Sequence, residues 1–238
     1  NTITSLGSDL VTGDENLAVG SSFSALSTGY SNTGIGSQAL NNVTSGDNNT
    51  AVGKAALTNN TTGVLNTALG SGALQSNNGN SNTALGNGSL ILNTTGGSNT
   101  AVGVATLNDN TTGSQNIAIG HSSLYANTIG SNNSAFGKDA LKTNTSGNKN
   151  TGMGYKADVA MSTLENATAI GANAVVDASN KIQLGDSNVT LVQTSGTVSA
   201  SAFVGDGSGL TNLNIDVSGI ASNTLTIASN ATTIASNT

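Results

Sequence analysis

A mainly β chain, built as a parallel β-solenoid with coils of about 17 residues and followed by a short α-helical coiled coil, is predicted by three observations. A glycine closes a five-residue unit at near-constant spacing, large apolar and charged side chains are scarce, and isoleucine recurs every seven residues near the C-terminus. Of the 238 residues 31 are Gly and 35 are Asn; 3% are aromatic, 8% are charged, and Pro, Cys and Trp are absent. An ordinary globular core needs more bulk than this. Disorder normally comes with high net charge and irregular polar tracts, whereas the net charge here is only -6 and the polar residues repeat. Regular spacing points to backbone burial by stacking.

The unit is Asn-x-Ala-aliphatic-Gly, at Asn16 to Gly20, Asn49 to Gly53, Asn66 to Gly70, Asn82 to Gly86, Asn99 to Gly103 and Asn116 to Gly120, with variants ending at Gly36, Gly137, Gly154 and Gly171. Successive glycines lie 16, 17, 17, 16, 17, 17, 17, 17 and 17 residues apart. A leucine follows four residues later, at Leu40, Leu57, Leu74, Leu90, Leu107, Leu124 and Leu141. A second glycine column comes at Gly46, Gly63, Gly79, Gly96, Gly113, Gly130 and Gly147. The period has room for two short extended segments and two glycine-bearing turns. About ten coils spaced about 4.8 Å apart make a rod of roughly 45 to 50 Å. Side chains alternate along each unit, so Thr50 and Val52 share one face while Ala51 and Gly53 share the other. The expected interior combines the aliphatic residue with the leucine column, and the recurring Asn is expected to stack into an amide ladder. So thin a roll encloses too little apolar surface to offset an ordering cost of about 1 to 2 kcal/mol per residue, which argues for several chains associating along a shared axis.

The tail agrees. Ile220, Ile227 and Ile234 are each followed three residues later by Asn223, Asn230 and Asn237, placing Ile at a and Asn at d of a coiled coil. Ser and Thr are poor helix formers, so such a helix needs partner helices. A parallel trimer suits it, with three Asn amides directing N–H groups at the axis to hold an anion or water. The 19 residues from Ile220 to Thr238 would span about 28 Å.

These residues also carry a family resemblance. The repeats, the segment Ala167 to Ala174 and the coil Ser179 to Gly185 resemble the heads of trimeric autotransporter adhesins, which implies a trimeric left-handed parallel β-roll with a neck and a coiled-coil stalk. Ile220-x-x-Asn223-Thr224 resembles the stalk motif whose Asn layer binds chloride on the threefold axis; Asn230 and Asn237 repeat it, with Ala231 replacing the Thr after Asn230. Ser201 to Leu213 looks like the connector that precedes a coiled coil in many phage tail fibres. The resemblances imply a head or shaft at 1–192, a neck at 193–214 and a stalk at 215–238. Together they imply a homotrimeric, extracellular fibre for attachment to a cell-surface receptor, as a phage tail fibre on the virion or, alternatively, as a bacterial surface adhesin.

Several function classes are set aside by composition. No run of about 18 apolar residues exists, so no membrane insertion is expected of this segment. Six basic residues in 238 leave no patch for nucleic acid. Without Cys there is no thiolate chemistry and no Cys-based zinc site, and the chain, which opens at Asn1, reads as a piece of a longer one. The single His121 has neither Cys nor a second His to share a metal and reads as a surface corner residue. Asp206, in Gly205-Asp-Gly-Ser-Gly209, reads as a neck turn, because the Lys-Ser/Thr of a phosphate loop and further carboxylates at cation spacing are missing. Glu15 and Glu165 are too far apart for paired-carboxylate chemistry. No enzyme activity, cofactor or metal is expected. The threonines at 44, 61, 94, 111, 128 and 145 allow two readings: an exposed ice-binding ladder, or turn residues that close each coil through their hydroxyls.

Overall fold

A computed structural model describes residues 15–20 and 28–200. One three-residue strand per coil builds the main wall: β1 (Leu17–Val19), β2 (Thr33–Ile35), β3 (Thr50–Val52), β4 (Thr67–Leu69), β5 (Thr83–Leu85), β6 (Thr100–Val102), β7 (Ile117–Ile119), β8 (Ser134–Phe136), β9 (Thr151–Met153), β11 (Thr168–Ile170) and β13 (Ile182–Leu184). They form an 11-stranded parallel sheet in chain order. Register follows the repeat, so Thr50, Ala51 and Val52 pair with Thr67, Ala68 and Leu69, placing Thr on Thr, Ala on Ala and aliphatic on aliphatic. Eleven strands at about 4.8 Å give a wall about 48 Å long. The parallel β-solenoid with coils of about 17 residues is therefore the fold of the described residues.

The opposite arm of most coils is not a strand, contrary to the expectation of two extended segments per period. After Gly53 the chain places Ala55 at φ 58° and Leu57 at φ 51°, and the same left-handed pair recurs at Ala105 with Leu107 and at Ser122 with Leu124. Left-handed residues at every second position cannot propagate a pleated strand. They instead turn the chain tightly enough to drop the leucine inward. Leu40, Leu57, Leu74, Leu90, Leu107, Leu124 and Leu141 are all fully buried. Stacking continues through this arm by main-chain bonds between coils, such as Leu57 N–H to the Ala73 carbonyl at 3.0 Å and Asn59 N–H to the Gln75 carbonyl at 2.9 Å. Only beyond Leu141 does the arm straighten, into β10 (Asp158–Val159) and β12 (Val175–Val176), which pair in parallel as a separate two-stranded sheet.

A second expectation is also corrected. The alanine of the unit, not the aliphatic residue, faces the core: Ala51, Ala68, Ala84, Ala101, Ala118 and Ala135 are fully buried, while Leu69, Leu85 and Ile119 are exposed. The reason is parity along the strand. Asn and Ala are two residues apart and share a face, and the Asn must be inside to make its bonds, so Thr and the aliphatic residue are turned outward.

Those Asn bonds form the predicted ladder. From Asn16 to Asn133 each side-chain oxygen accepts the main-chain N–H of the next Asn along the rod, for example Asn116 N–H to Asn99 Oδ1 at 3.0 Å and Asn133 N–H to Asn116 Oδ1 at 2.9 Å, and Asn150 Oδ1 accepts the N–H of Ala167 at 2.9 Å. A second ladder, which the sequence reading did not pick out, runs through Asn60, Asn77, Asn93, Asn110, Asn127 and Asn144, all fully buried. Its amides donate down the column, as Asn110 Nδ2 does to Asn93 Oδ1 at 2.7 Å. Both ladders converge on one carbonyl column: Gly113 O accepts Asn99 Nδ2 and Asn110 Nδ2, each at 2.9 Å. No buried side-chain nitrogen or oxygen lacks a partner among the described residues, which is what a polar core requires.

The 16-residue coil from Gly70 to Gly86 omits one residue of the Asn-Thr-Thr-Gly turn. Elsewhere a single carbonyl serves this turn: Thr111 O accepts the N–H groups of Thr94, Thr95 and Gly96. In the short coil Asn78 Oδ1 takes over, accepting from the N–H groups of Thr61 and Thr62 and from the Thr61 hydroxyl. Side-chain oxygen thus replaces the missing peptide, and the stack is uninterrupted.

The chain divides into two compact units, 1–192 and 193–238. Residues 193–200 carry no regular structure. The remainder of the predicted neck and all of the predicted coiled coil lie outside the described residues.

Candidate functional site

Two surface features of the solenoid stand out from its uncharged polar surroundings. The first follows directly from strand parity. Val19, Ile35, Val52, Leu69, Leu85, Val102, Ile119, Phe136, Met153, Ile170 and Leu184 stack in one outward row across all eleven strands of the main wall. None of these positions is polar. Leu69 is 45% and Met153 48% exposed, and the neighbouring outward row is mostly Thr, with Leu17, Ile117 and Ile182 widening the apolar surface at intervals. Scattered apolar residues on a surface need no explanation, whereas a continuous apolar stripe of this length is the kind of feature found at interaction surfaces.

The second feature is a shallow cleft of about 480 Å³ on the other arm, lined by Asp139, Lys142, Lys156, Asp158, Asn173 and Val175. It lies where the repeat changes. Position Gly+4, a buried leucine through Leu141, becomes Asp158 and then Val175 as the tight turn gives way to β10 and β12. The step between a turned coil and a straight one leaves the depression. Charge gathers there in a chain that otherwise has little: five of the six basic residues lie between Lys138 and Lys181. Lys142 Nζ is 3.0 Å from Asp139 Oδ1, and Lys156 Nζ sits 5.3 Å from the centre of the Tyr155 ring.

Asp158 is the most constrained of these groups. Its carboxylate accepts from the Thr143 hydroxyl at 2.8 Å, from the Thr143 N–H at 3.2 Å and from the Val159 N–H at 2.8 Å. Burial pushes its carboxyl above the ordinary 3.8, and these hydrogen bonds, which favour the charged form, only partly oppose the shift. The native state thus holds the Asp158 proton more tightly than the unfolded chain does. The stability this contributes is full below about pH 3.8 and is lost as pH rises through the raised value. Asp109 is raised by burial as well, so a difference measurement is needed to isolate Asp158. The difference in unfolding free energy between wild type and Asp158→Asn, followed by denaturant titration from pH 3 to 7, is expected to shift in favour of the variant across that window and then level off. A flat difference would show that Asp158 is not perturbed.

The residues singled out in the sequence are placed as follows. The glycines at 36, 53, 70, 86, 103, 120, 137, 154 and 171 form one corner column, and Gly20 heads it. His121 is an exposed corner residue whose Nδ1 lies 3.0 Å from the Ser122 hydroxyl. Glu15 accepts from the Ser31 hydroxyl and Glu165 from the Asn148 amide, in the first and among the last coils, so the two carboxylates are not brought together. Among the described residues no three His, Asp or Glu side chains gather as a metal site, and no helix is long and apolar enough to cross a membrane. Of the threonines, those at 44, 94, 111 and 128 donate their hydroxyls to the carbonyl of the next coil at 2.9 to 3.0 Å, the coil-closing role that was one of the two readings. Asn223, Asn230, Asn237 and Asp206 lie outside the described residues. Comparison with known proteins finds no matching family model and no matching curated protein.

Proposed function

We propose that this chain is a segment of a homotrimeric attachment fibre, most simply a phage tail fibre carried on the virion, with a bacterial surface adhesin as the alternative host of the same architecture. The observation that carries the reading is the outward apolar row. Its occupant is two further copies of the chain: a second copy has the same length and the same rung spacing, so rows laid side by side match coil for coil. The Ile heptads at 220, 227 and 234 call independently for parallel helical partners, which would hold three solenoids in register. Packing the rows together supplies the apolar burial that one thin roll lacks. The remaining polar, weakly charged arm faces outward, and attachment would come from many weak contacts multiplied over three chains. Chloride or water on the axis at Asn223, Asn230 and Asn237 belongs to this proposal. An ice-binding solenoid is the less favoured reading, since the threonine hydroxyls that would face ice are spent on carbonyls of the neighbouring coil.

Light scattering on the full chain tests the proposal. A mass near 70 kDa is expected, three times the 23.2 kDa chain. Leu85→Asp combined with Ile119→Asp should shift it to the monomer, because each carboxylate would be buried without a partner three times over, while an unchanged far-UV spectrum verifies that the coils persist. A monomeric wild type would overturn the trimer. The host is decided by the chain that accompanies this segment, a self-cleaving chaperone domain pointing to a phage and a β-barrel anchor to a bacterium.

A further inference from the structure

The charged cleft sits on the β10–β12 arm, across the core from the apolar row, so a trimer joined through that row presents it three times to solvent. Its make-up sets it apart from the repeat that precedes it. The column two residues after the corner glycine reads Ala55, Gly72, Gly88, Ala105 and Ser122 through the middle coils and then changes to Asp139, Lys156 and Asn173. Nothing in the fold demands that change, since small residues serve the same left-handed position five coils in a row. Asp139 is buried and paired to Lys142, whereas Lys156 and Asn173 are exposed, and no carboxylate among the described residues lies within ion-pair distance of Lys156. Two ammonium groups and a side-chain amide can donate, two carboxylates and the amide oxygen can accept, and the total charge is zero.

An anion would meet Asp139 and Asp158, and a divalent cation would meet Lys142 and Lys156. A neutral polyol suits both, because vicinal hydroxyls donate to carboxylates and accept from ammonium and amide groups at the same time. The volume lies within the range of about 300 to 1,000 Å³ of small-ligand sites. We infer that the cleft lined by Asp139, Lys142, Lys156, Asp158 and Asn173 binds the hydroxyl face of a neutral saccharide and is the receptor-contacting site of the proposed fibre. This deepens the attachment reading and rests on it for its biological meaning.

Saturation-transfer NMR on the full chain, with methyl glycosides of glucose, galactose, mannose and N-acetylglucosamine at millimolar concentration, is the test, with inorganic phosphate and calcium titrations as separate arms. At least one glycoside is expected to give saturation transfer, and Lys156→Ala and Asp158→Asn are each expected to weaken its apparent affinity tenfold or more. Lys156→Ala should fold, as Ala55 and Ala105 already occupy its column, and Lys54→Ala, a lysine in a distant coil, should leave binding unchanged. No transfer from any glycoside, transfer unaffected by both cleft variants, or binding of phosphate or calcium alone would each overturn the inference. Light scattering on the same samples separates the two claims: an intact trimer that binds no sugar defeats the cleft and leaves the fibre standing, and a monomer that binds sugar does the reverse.

Discussion

Asn99→Ala is expected to cost the solenoid about 3 to 5 kcal/mol, as an orphaned buried N–H costs about 1 to 3 and the lost bond and cavity add to it. The fully buried Asn99 side chain accepts the main-chain N–H of Asn116 and donates to Gly113 O. Removing it strands the Asn116 N–H, whereas Gly113 O keeps Asn110 as a donor. The two ladders therefore differ in weight. In the second, Asn110 bonds the amides of Asn93 and Asn127 and the Gly113 carbonyl, so no main-chain N–H depends on it. Val43 already fills the equivalent place in the first full coil, fully buried. Asn110→Val should accordingly lose no more than about half as much as Asn99→Ala. Because each coil touches only its neighbours, the damage should be local. Hydrogen exchange should show protection falling in the coils on either side of residue 99 and persisting at both ends of the rod; equal destabilisation by the two variants would contradict the assigned roles.

Gly103→Val is expected to be worse, at more than about 4 kcal/mol, enough to open the central coils outright. Two independent obstacles meet at this residue. Its φ of 135° is closed to a β-branched side chain, and a Cβ there would lie 2.7 Å from the carbonyl carbon and oxygen of Gly120. The obstructing atoms are the backbone of the next coil, which cannot move without breaking the stack. Gly20 is the natural control. It heads the same column with φ 64° and, among the described residues, nothing within 4 Å of a built Cβ, so Gly20→Asn should fold with wild-type stability to within about 0.5 kcal/mol. Thermal unfolding followed by circular dichroism compares the pair, and a Gly103→Val protein that melts like wild type would refute the close-approach account.

The contrast between these two glycines illustrates what the repeat alone conveys. Spacing identifies the column without saying which member carries a load, since that depends on the backbone conformation: at φ 64° a Cβ on Gly20 is directed away from the coil of Gly36, whereas at φ 135° one on Gly103 is directed onto Gly120. The same limit explains the misassigned faces. Alternation along Asn49 to Gly53 is plain in the sequence, and it correctly separates Thr50 and Val52 from Ala51. Which side is inside depends on comparing the apolar gain of burying Val52 with the cost of exposing the Asn49 ladder, and that comparison is made only when the opposite arm supplies a leucine to fill the space over Ala51. The second Asn ladder was recoverable from its 17-residue recurrence at Asn93, Asn110, Asn127 and Asn144, but Asn within an Asn-Thr-Thr-Gly turn reads first as a turn residue. The charged cleft could not be read from any local motif, because Asp139, Lys156 and Asn173 are 17 residues apart and become neighbours only by stacking.

The period, the parallel stacking, the buried leucines and the amide ladder were determined by the sequence alone, because each is a consequence of like residues recurring at one interval. Tertiary structure decided the rest: the outward turn of the aliphatic row, the left-handed arm in place of a second strand, and the step at Leu141 and Asp158 that opens the cleft. Those outcomes depend on how much volume the two arms of a coil leave between them, and no single column of residues contains that quantity.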